Sequence, residues 1–210
     1  KAPAKAQSEI KLKGAKAAPA PALPPAAVKV KAEPLAAKGK PGRKPKTATA
    51  EGEAALLAAV TEAVGNARRI VDLFAGSGTF ALPLSEQAEV HAVEGDAAMM
   101  AALEKGWRQA PGLKKVTTET RDLFRRPLEP DEFKGIDAVV IDPPRAGAEA
   151  QVHVLARSTV PVIAMVSCNP ITFARDTRIL LRGGYRLDWV QVVDQFRWSA
   201  HVELAARFSR

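Results

Sequence analysis

The sequence predicts a doubly wound α/β fold, an open and mostly parallel sheet covered by helices, and three observations carry that expectation. Residues 69–84, RIVDLFAGSGTFALPL, set a short apolar run against Gly76-Ser77-Gly78 and then a helical stretch, the strand–turn–helix opening of nucleotide-type folds. Further apolar runs at 89–93, 115–118, 136–141, 160–166 and 185–193 recur, most of them separated by stretches of helical spacing. Several of these runs stop at a reactive or charged side chain: Glu94, Asp142 and Cys168. In an open parallel sheet such strand ends share one rim, where ligands bind.

Each element follows from its residues. The first helix is expected over 51–64, with Ala54, Leu57, Ala58 and Thr61 on one face and Leu56 and Val60 beside it, ended by Gly65 and Asn66. The central strand is 70–74. Gly76 and Gly78 lack a Cβ, so the turn can take positive φ and a ligand can approach the backbone. A helix at 79–87 leads to strand 89–93 and Glu94, about twenty residues past the turn, where such folds place an acid on ribose hydroxyls. A helix at 97–106, a strand at 115–118 and Asp122 follow, the last either a cofactor contact or a helix-cap aspartate. IDAVVI at 136–141 ends in Asp142-Pro143-Pro144-Arg145, a stiff turn that holds the Asp142 carboxylate at the strand end. Helix 148–158, strand 160–166 ending in Ser167-Cys168-Asn169-Pro170, helix 171–181, strand 185–193 and an antiparallel strand 201–208 complete a seven-stranded sheet.

Composition divides the 210 residues in two. The first fifty hold 12 Lys and Arg against 2 Glu; the remainder holds 19 against 21, so the net charge of +8 resides in the first part. Residues 1–47, rich in Ala, Pro and Lys and without an aromatic, are expected to form a disordered basic tail, a solubilising linker or an arm that holds RNA through phosphates, with Gly42–Lys46 its densest basic spot. Residues 48–210 are expected to fold as one domain, near neutral and without a strong global field for nucleic acid. A single cysteine excludes an internal disulfide and any cysteine-held metal cluster, and it suits a reducing, cytoplasmic setting. No run approaches the ~20 apolar residues of a membrane helix, and no secretory leader is visible. Because residue 1 is Lys, the chain reads as a fragment or processed product.

DLFAGSGTF, VEGD, DPPRAG, SCNP and DQFRWSAHVE, in that order, resemble the S-adenosylmethionine-dependent RNA uracil-5-methyltransferases, which modify tRNA and 23S ribosomal RNA. The resemblance runs from about residue 48 to 210 and implies a Rossmann-like class I methyltransferase with seven strands, the last antiparallel. It also implies roles. Phe74 and Thr79 flank the methionine and carboxylate site beside Gly76 and Gly78; Glu94 binds the cofactor ribose; Asp122 lies near adenine; Asp142 stands between cofactor and base. Cys168 is the nucleophile and Glu203 the general base. The partner is then RNA, with 23S rRNA favoured over tRNA, and the protein acts as a monomer, without a metal and away from membranes.

The chemistry asks for those residue types. Carbon 5 of uracil is a poor nucleophile until a thiolate adds at carbon 6, and a base must later remove the carbon 5 proton. Free cysteine titrates near ~8.5, so the site must favour the thiolate. The target base must also leave its stack. Plainer readings stand beside these: Cys168 as a core residue, Glu203 as a solvent-facing strand residue, His201 as a structural hydrogen-bonder, Phe196 and Trp198 as packing or RNA-stacking residues, and Arg145 as a phosphate grip or a cap. The chain departs from the family in lacking its β-domain, its central domain, its iron–sulfur cysteines and the glutamine of Phe-x-Gln, whose place falls at 44–47. The alternative is therefore a non-catalytic, cofactor-binding and RNA-associated remnant. A different class I methyltransferase fits less well, since Arg145 stands where amino-group methylators carry an aromatic and RNA cytosine-5 enzymes a cysteine. A nicotinamide dehydrogenase would leave SCNP without a purpose.

Overall fold

The computed structural model describes residues 29–32, 50–193 and 202–210. Within them the elements are β1 (Lys29–Ala32), α1 (Ala50–Val64), β2 (Arg69–Leu73), α2 (Ala81–Leu84), β3 (Glu89–Glu94), α3 (Ala97–Gln109), β4 (Val116–Thr120), β5 (Ala138–Ile141), α4 (Glu149–Leu155), β6 (Val162–Ser167), α5 (Pro170–Arg182), β7 (Arg186–Val193) and β8 (Glu203–Ser209). The strands form one sheet in the order β1-β7-β8-β6-β5-β2-β3-β4. β8 runs antiparallel between β6 and β7, and every other pairing is parallel. The seven expected strands are all present. The eighth, β1, pairs with β7 at Lys29↔Trp189 and comes from the stretch expected to be a structureless tail. Phe196, Trp198, His201 and the basic spot at 42–46 lie outside the described residues.

Strand periodicity sorts the side chains into two layers. Ile70 in β2, Val90 in β3, Val140 in β5 and Val166 in β6 pack with Leu56 and Val60 of α1, Ala81 of α2 and Leu103 of α3. Val71, Leu73, Val139, Ile141 and Ile163 face the other way, against Val152 and Leu155 of α4 and Phe173 and Leu180 of α5. All four residues of β5 are buried, as a strand covered on both faces requires. Each fully buried branched side chain contributes roughly 1.5–3 kcal/mol, and this burial holds the strand ends in fixed register. From β2 the chain steps outward to β3 and β4, then returns to the far side of β2 as β5. The reversal opens a crevice at the carboxyl ends of β2 and β5.

Several boundaries differ from expectation for local reasons. The buried face of α1 is Gly52, Leu56, Ala59, Val60, Ala63 and Val64, not the face of Ala54, Ala58 and Thr61, which are exposed. Alanine occurs on every side of this helix, so spacing alone did not mark the stripe. α2 is one turn rather than a helix over 79–87. Pro83 has no N–H to give to Thr79, and after Leu84 the chain tightens into Glu86 N–H to Pro83 and Gln87 N–H to Leu84 turns. β5 begins at Ala138, and Asp137 just before it ties the entries of β2 and β5 together: its amide donates to the Arg69 carbonyl and its Oδ2 accepts the amides of Arg68 and Arg69, at 2.9 Å each.

Candidate active site

The β2–α2 turn is strained in the way a ligand cradle requires. Phe74 takes φ 62°, rare for a residue with a side chain, and Gly76 and Gly78 take 55° and 101°. A Cβ on Gly78 would lie 3.0 Å from Leu103 and Leu82, so only glycine lets the turn sit on the helices. In front of Gly76 there is open space. Its amide donates to Glu94 Oε2 at 3.1 Å, while Gly95 and Asp96 donate to Oε1 at 2.7 and 3.1 Å. One carboxylate at the end of β3 thus binds two strand ends together. Beside it the rings of Phe74 and Phe124 meet at 5.4 Å between centroids and 55°, with Phe124 half exposed. Asp122 Oδ1 accepts from the amides of Phe124 and Arg125, so this residue does the capping work of a turn while remaining on the surface next to that aromatic pair.

A cavity of about 380 Å³ opens alongside, lined by Glu53 and Leu56 of α1, Thr79, Phe80, Asp142, Val166, Cys168 and Glu203. β5 delivers Asp142, β6 delivers Cys168 and the first residue of β8 is Glu203. Cys168 is partly exposed to this cavity, not sunk in the core. Glu203 is buried, which removes the solvent-facing strand reading; the β6–β8 pairing at Ser167↔Leu204 sets it beside Cys168. Asn169 caps α5 by accepting from the Ile171 amide at 3.1 Å, with Pro170 at the first helical position, so Cys168 sits at the mouth of a 13-residue helix.

The charges along this rim interact strongly. Burial, then the charge of Glu203, push Asp142 up to about 7. Burial and Glu203 push the Cys168 thiol up, Arg145 draws it back, and Asp142 adds to the rise. Asp72, two residues past Ile70 in β2 and so on the same face, is fully buried, and among the described residues the Ala81 amide is the one donor that acts on its carboxyl, without forming a well-aligned hydrogen bond. Its carboxyl is raised well above the usual range by burial first, then by Asp142, with Glu94 adding to the rise and the Ala81 amide pulling the other way. A crevice crowded with carboxylates suits a cationic ligand.

Thr79, Asp142, Cys168 and Glu203 therefore share one cavity, while Phe74, Gly76, Gly78, Glu94 and Asp122 form the adjoining stretch of rim. Sequence reasoning missed Glu53, Leu56, Phe80 and Asp72. Asp72 had a signal, an acid inside the apolar run of a central strand; the place of Glu53 depends on helix packing and had none.

An open sheet with this strand order, a glycine turn at the reversal and an acid at the next strand end define the class: a Rossmann-like, S-adenosylmethionine-type methyltransferase fold. Solved structures share it, including an S-adenosylmethionine-dependent methyltransferase from Mesorhizobium loti, with a TM-score of 0.58 at 17% identity over 76% of this chain and 98% of that one. The chain belongs to the tRNA (uracil-5-)-methyltransferase family, which it matches over residues 44–210. It is similar to an uncharacterized RNA methyltransferase of Brucella suis, 57% identical over 76% of this chain and 38% of that protein. A 23S rRNA (uracil(1939)-C(5))-methyltransferase of Chromohalobacter salexigens is 40% identical over 64% of this chain and 28% of its own length. The Pyrococcus abyssi tRNA (uracil-54, C5)-methyltransferase, solved with S-adenosyl-L-homocysteine, superposes with a TM-score of 0.64 at 30% identity, over 74% of this chain and 38% of that one. The chain thus spans about two fifths of the length of its curated relatives from Brucella and Rhizobium. Among the described residues no helix is long and apolar enough to cross a membrane.

Proposed function

We propose that residues 48–210 are the catalytic domain of an RNA uracil-5-methyltransferase, with S-adenosylmethionine as donor. The observation that carries this is the one cavity shared by Asp142 and Cys168, past the carboxyl ends of β5 and β6, and Glu203, at the start of the antiparallel β8. The cofactor's residues fit: Gly76 leaves open space before its backbone, Glu94 offers a fixed carboxylate for ribose hydroxyls, and the rim acids complement a sulfonium and an ammonium. Phe74, Gly78 and Thr79 hold the turn, and Asp122 with Phe124 borders the expected adenine end. When bound, S-adenosylmethionine supplies an electrophilic methyl group.

The chain's own residues do the rest. Cys168, as thiolate, adds to carbon 6 of a uracil unstacked into the cavity, placing electron density on carbon 5. Glu203, across the same cavity, takes the carbon 5 proton, and the electron pair returns to the ring as the carbon–sulfur bond breaks. Asp142 holds a proton up to about pH 7 and can donate a hydrogen bond to a base carbonyl between the two. A cation held among the acids that raise the thiol of Cys168 would lower it, which couples nucleophile activation to cofactor binding. Identity to the Chromohalobacter 23S rRNA enzyme exceeds that to the Pyrococcus tRNA enzyme, which favours 23S rRNA as substrate class.

The test is a covalent trap. Incubated with S-adenosylmethionine and 5-fluorouridine RNA, the parent chain should form an RNA–protein adduct stable to denaturing gels, absent from Cys168→Ala. Cofactor binding without any adduct or methyl transfer would instead support a non-catalytic RNA-associated domain.

A further inference from the structure

The β5–α4 connection, residues 142–148, is held almost entirely by one face of α5. The Asn169 amide Nδ2 donates to the Arg145 carbonyl at 3.0 Å, and the Thr172 hydroxyl shares its one proton between that carbonyl, at 3.3 Å, and the Asn169 carbonyl, at 3.2 Å. One turn on, Arg175 Nη2 donates to the Ala146 carbonyl at 3.1 Å, and Asp176 Oδ2 accepts the Ala148 amide at 2.9 Å. Arg175 is itself fixed, with Nε donating to Asp176 Oδ1 at 2.8 Å and Nη1 lying 3.2 Å from Glu149. Asp176 is 1% exposed, so an ionic group has been placed inside the protein to hold backbone. Gly147 shows how close the approach is: at φ 76°, a Cβ there would lie 2.5 Å from Arg175 Nη2 and 2.7 Å from Asp176 Oδ2.

We infer that Asn169, Thr172, Arg175 and Asp176 are positioning residues, a clamp that fixes Arg145 and Asp142 against Cys168 and thereby sets the nucleophile's reactivity. The inference rests on the catalytic role proposed for Cys168. Hydrogen bonds at 169, 172, 175 and 176 follow one helical stripe, and Asn169, the cap of that helix, directly follows the cysteine. The helix therefore carries the thiol's backbone at its start and the loop on its side, and the two strand ends cannot shift independently. Four charged groups face or line the cavity around the thiol: Glu203 from β8, Asp142 and Arg145 from the clamped loop, and Glu53 from α1. Of the two on the loop, Arg145 lowers the thiol by more than Asp142 raises it. A loosened loop should leave the thiol harder to ionise. A clamp serving stability alone would leave that ionisation untouched.

The measurement is the pH profile of Cys168 alkylation by iodoacetamide in the full chain, for the parent, Arg175→Lys, Thr172→Val and, as control, Arg178→Ala on the exposed face of α5. Lysine keeps the cation beside Asp176 but loses the guanidinium fork. Arg175→Lys should move the profile to higher pH, with modification at pH 7 about threefold slower. Thr172→Val, which removes one of two donors to Arg145, should give a smaller shift the same way. Arg178→Ala should superimpose on the parent, and melting temperature, followed in parallel, separates loss of fold from loss of alignment. Superimposable profiles for Arg175→Lys and Thr172→Val in folded protein would overturn the clamp. A displaced profile in a chain that never traps 5-fluorouridine RNA would leave the clamp standing and sink the uracil chemistry.

Discussion

Two aspartates on neighbouring strands of the sheet meet opposite fates. Asp137, at the entry of β5, accepts two backbone amides at 2.9 Å and joins the starts of β2 and β5. Asp72, inside β2 near its carboxyl end, is fully buried with no well-aligned hydrogen bond among the described residues, and Asp142 and Glu94 add to the burial that raises it. The same division runs through the molecule. Away from the crevice acids find cations: Asp188 is paired with Arg186 and Arg207, and Glu132 with Arg121. At the rim Glu203 raises Asp142, and both raise the thiol of Cys168 against the pull of Arg145. The unfavourable arrangement is concentrated where a positively charged ligand would relieve it.

That contrast can be broken or sharpened by substitution. The largest effect is expected from Cys168→Ala, which should reduce methyl transfer and 5-fluorouridine adduct to background, a loss of at least roughly 10³-fold, with cofactor affinity changed by no more than about twofold in calorimetry. Glu203→Gln should slow turnover by roughly 10²-fold and let the adduct accumulate on gels. It should also speed alkylation of Cys168 at neutral pH, because one of the charges that raises the thiol is gone. Slower turnover together with slower alkylation would remove Glu203 from the pair.

Asp142→Asn sharpens the comparison through stability. The folded carboxyl is raised to about 7, so the folded state retains a proton that the unfolded chain releases near ~4. Stability from this group is fully present below about pH 4 and is lost as pH rises to about 7. The asparagine variant should lose that part of the slope, melting a few degrees above the parent at pH 8 relative to their difference at pH 4. Parallel melting curves across that range would show that Asp142 does not carry the strain. The smallest effect belongs to Asp137→Ala, which should cost about 1–2 kcal/mol in urea unfolding for its two lost hydrogen bonds and leave cofactor affinity unchanged.

What could be read in the sequence was whatever the chain marks with rare residues at strand ends. Gly76 and Gly78, the two prolines after Asp142, and Cys168 before Asn169-Pro170 are local signals, and the structure brings their strands to one rim. The buried face of α1 was misread because alanine on all sides gives no contrast, and with it went Glu53 and Leu56 in the cavity wall. Asp72 was passed over as part of an apolar run. β1 was hidden in a stretch whose composition argued against any strand, since four residues can pair along an open edge without contributing to a core. The clamp was beyond reach for another reason: Arg175 and Asp176 meet the loop across more than twenty-five positions of sequence.

The location of Glu203 has a consequence for assembly. β6 and β7 are not neighbours in the sheet: β8 lies between them and bonds to both, and Glu203 is the first residue of that strand. On the mechanism proposed above, a nascent chain extended only through β7 holds Cys168 and Asp142 but not Glu203, so it lacks the proposed base.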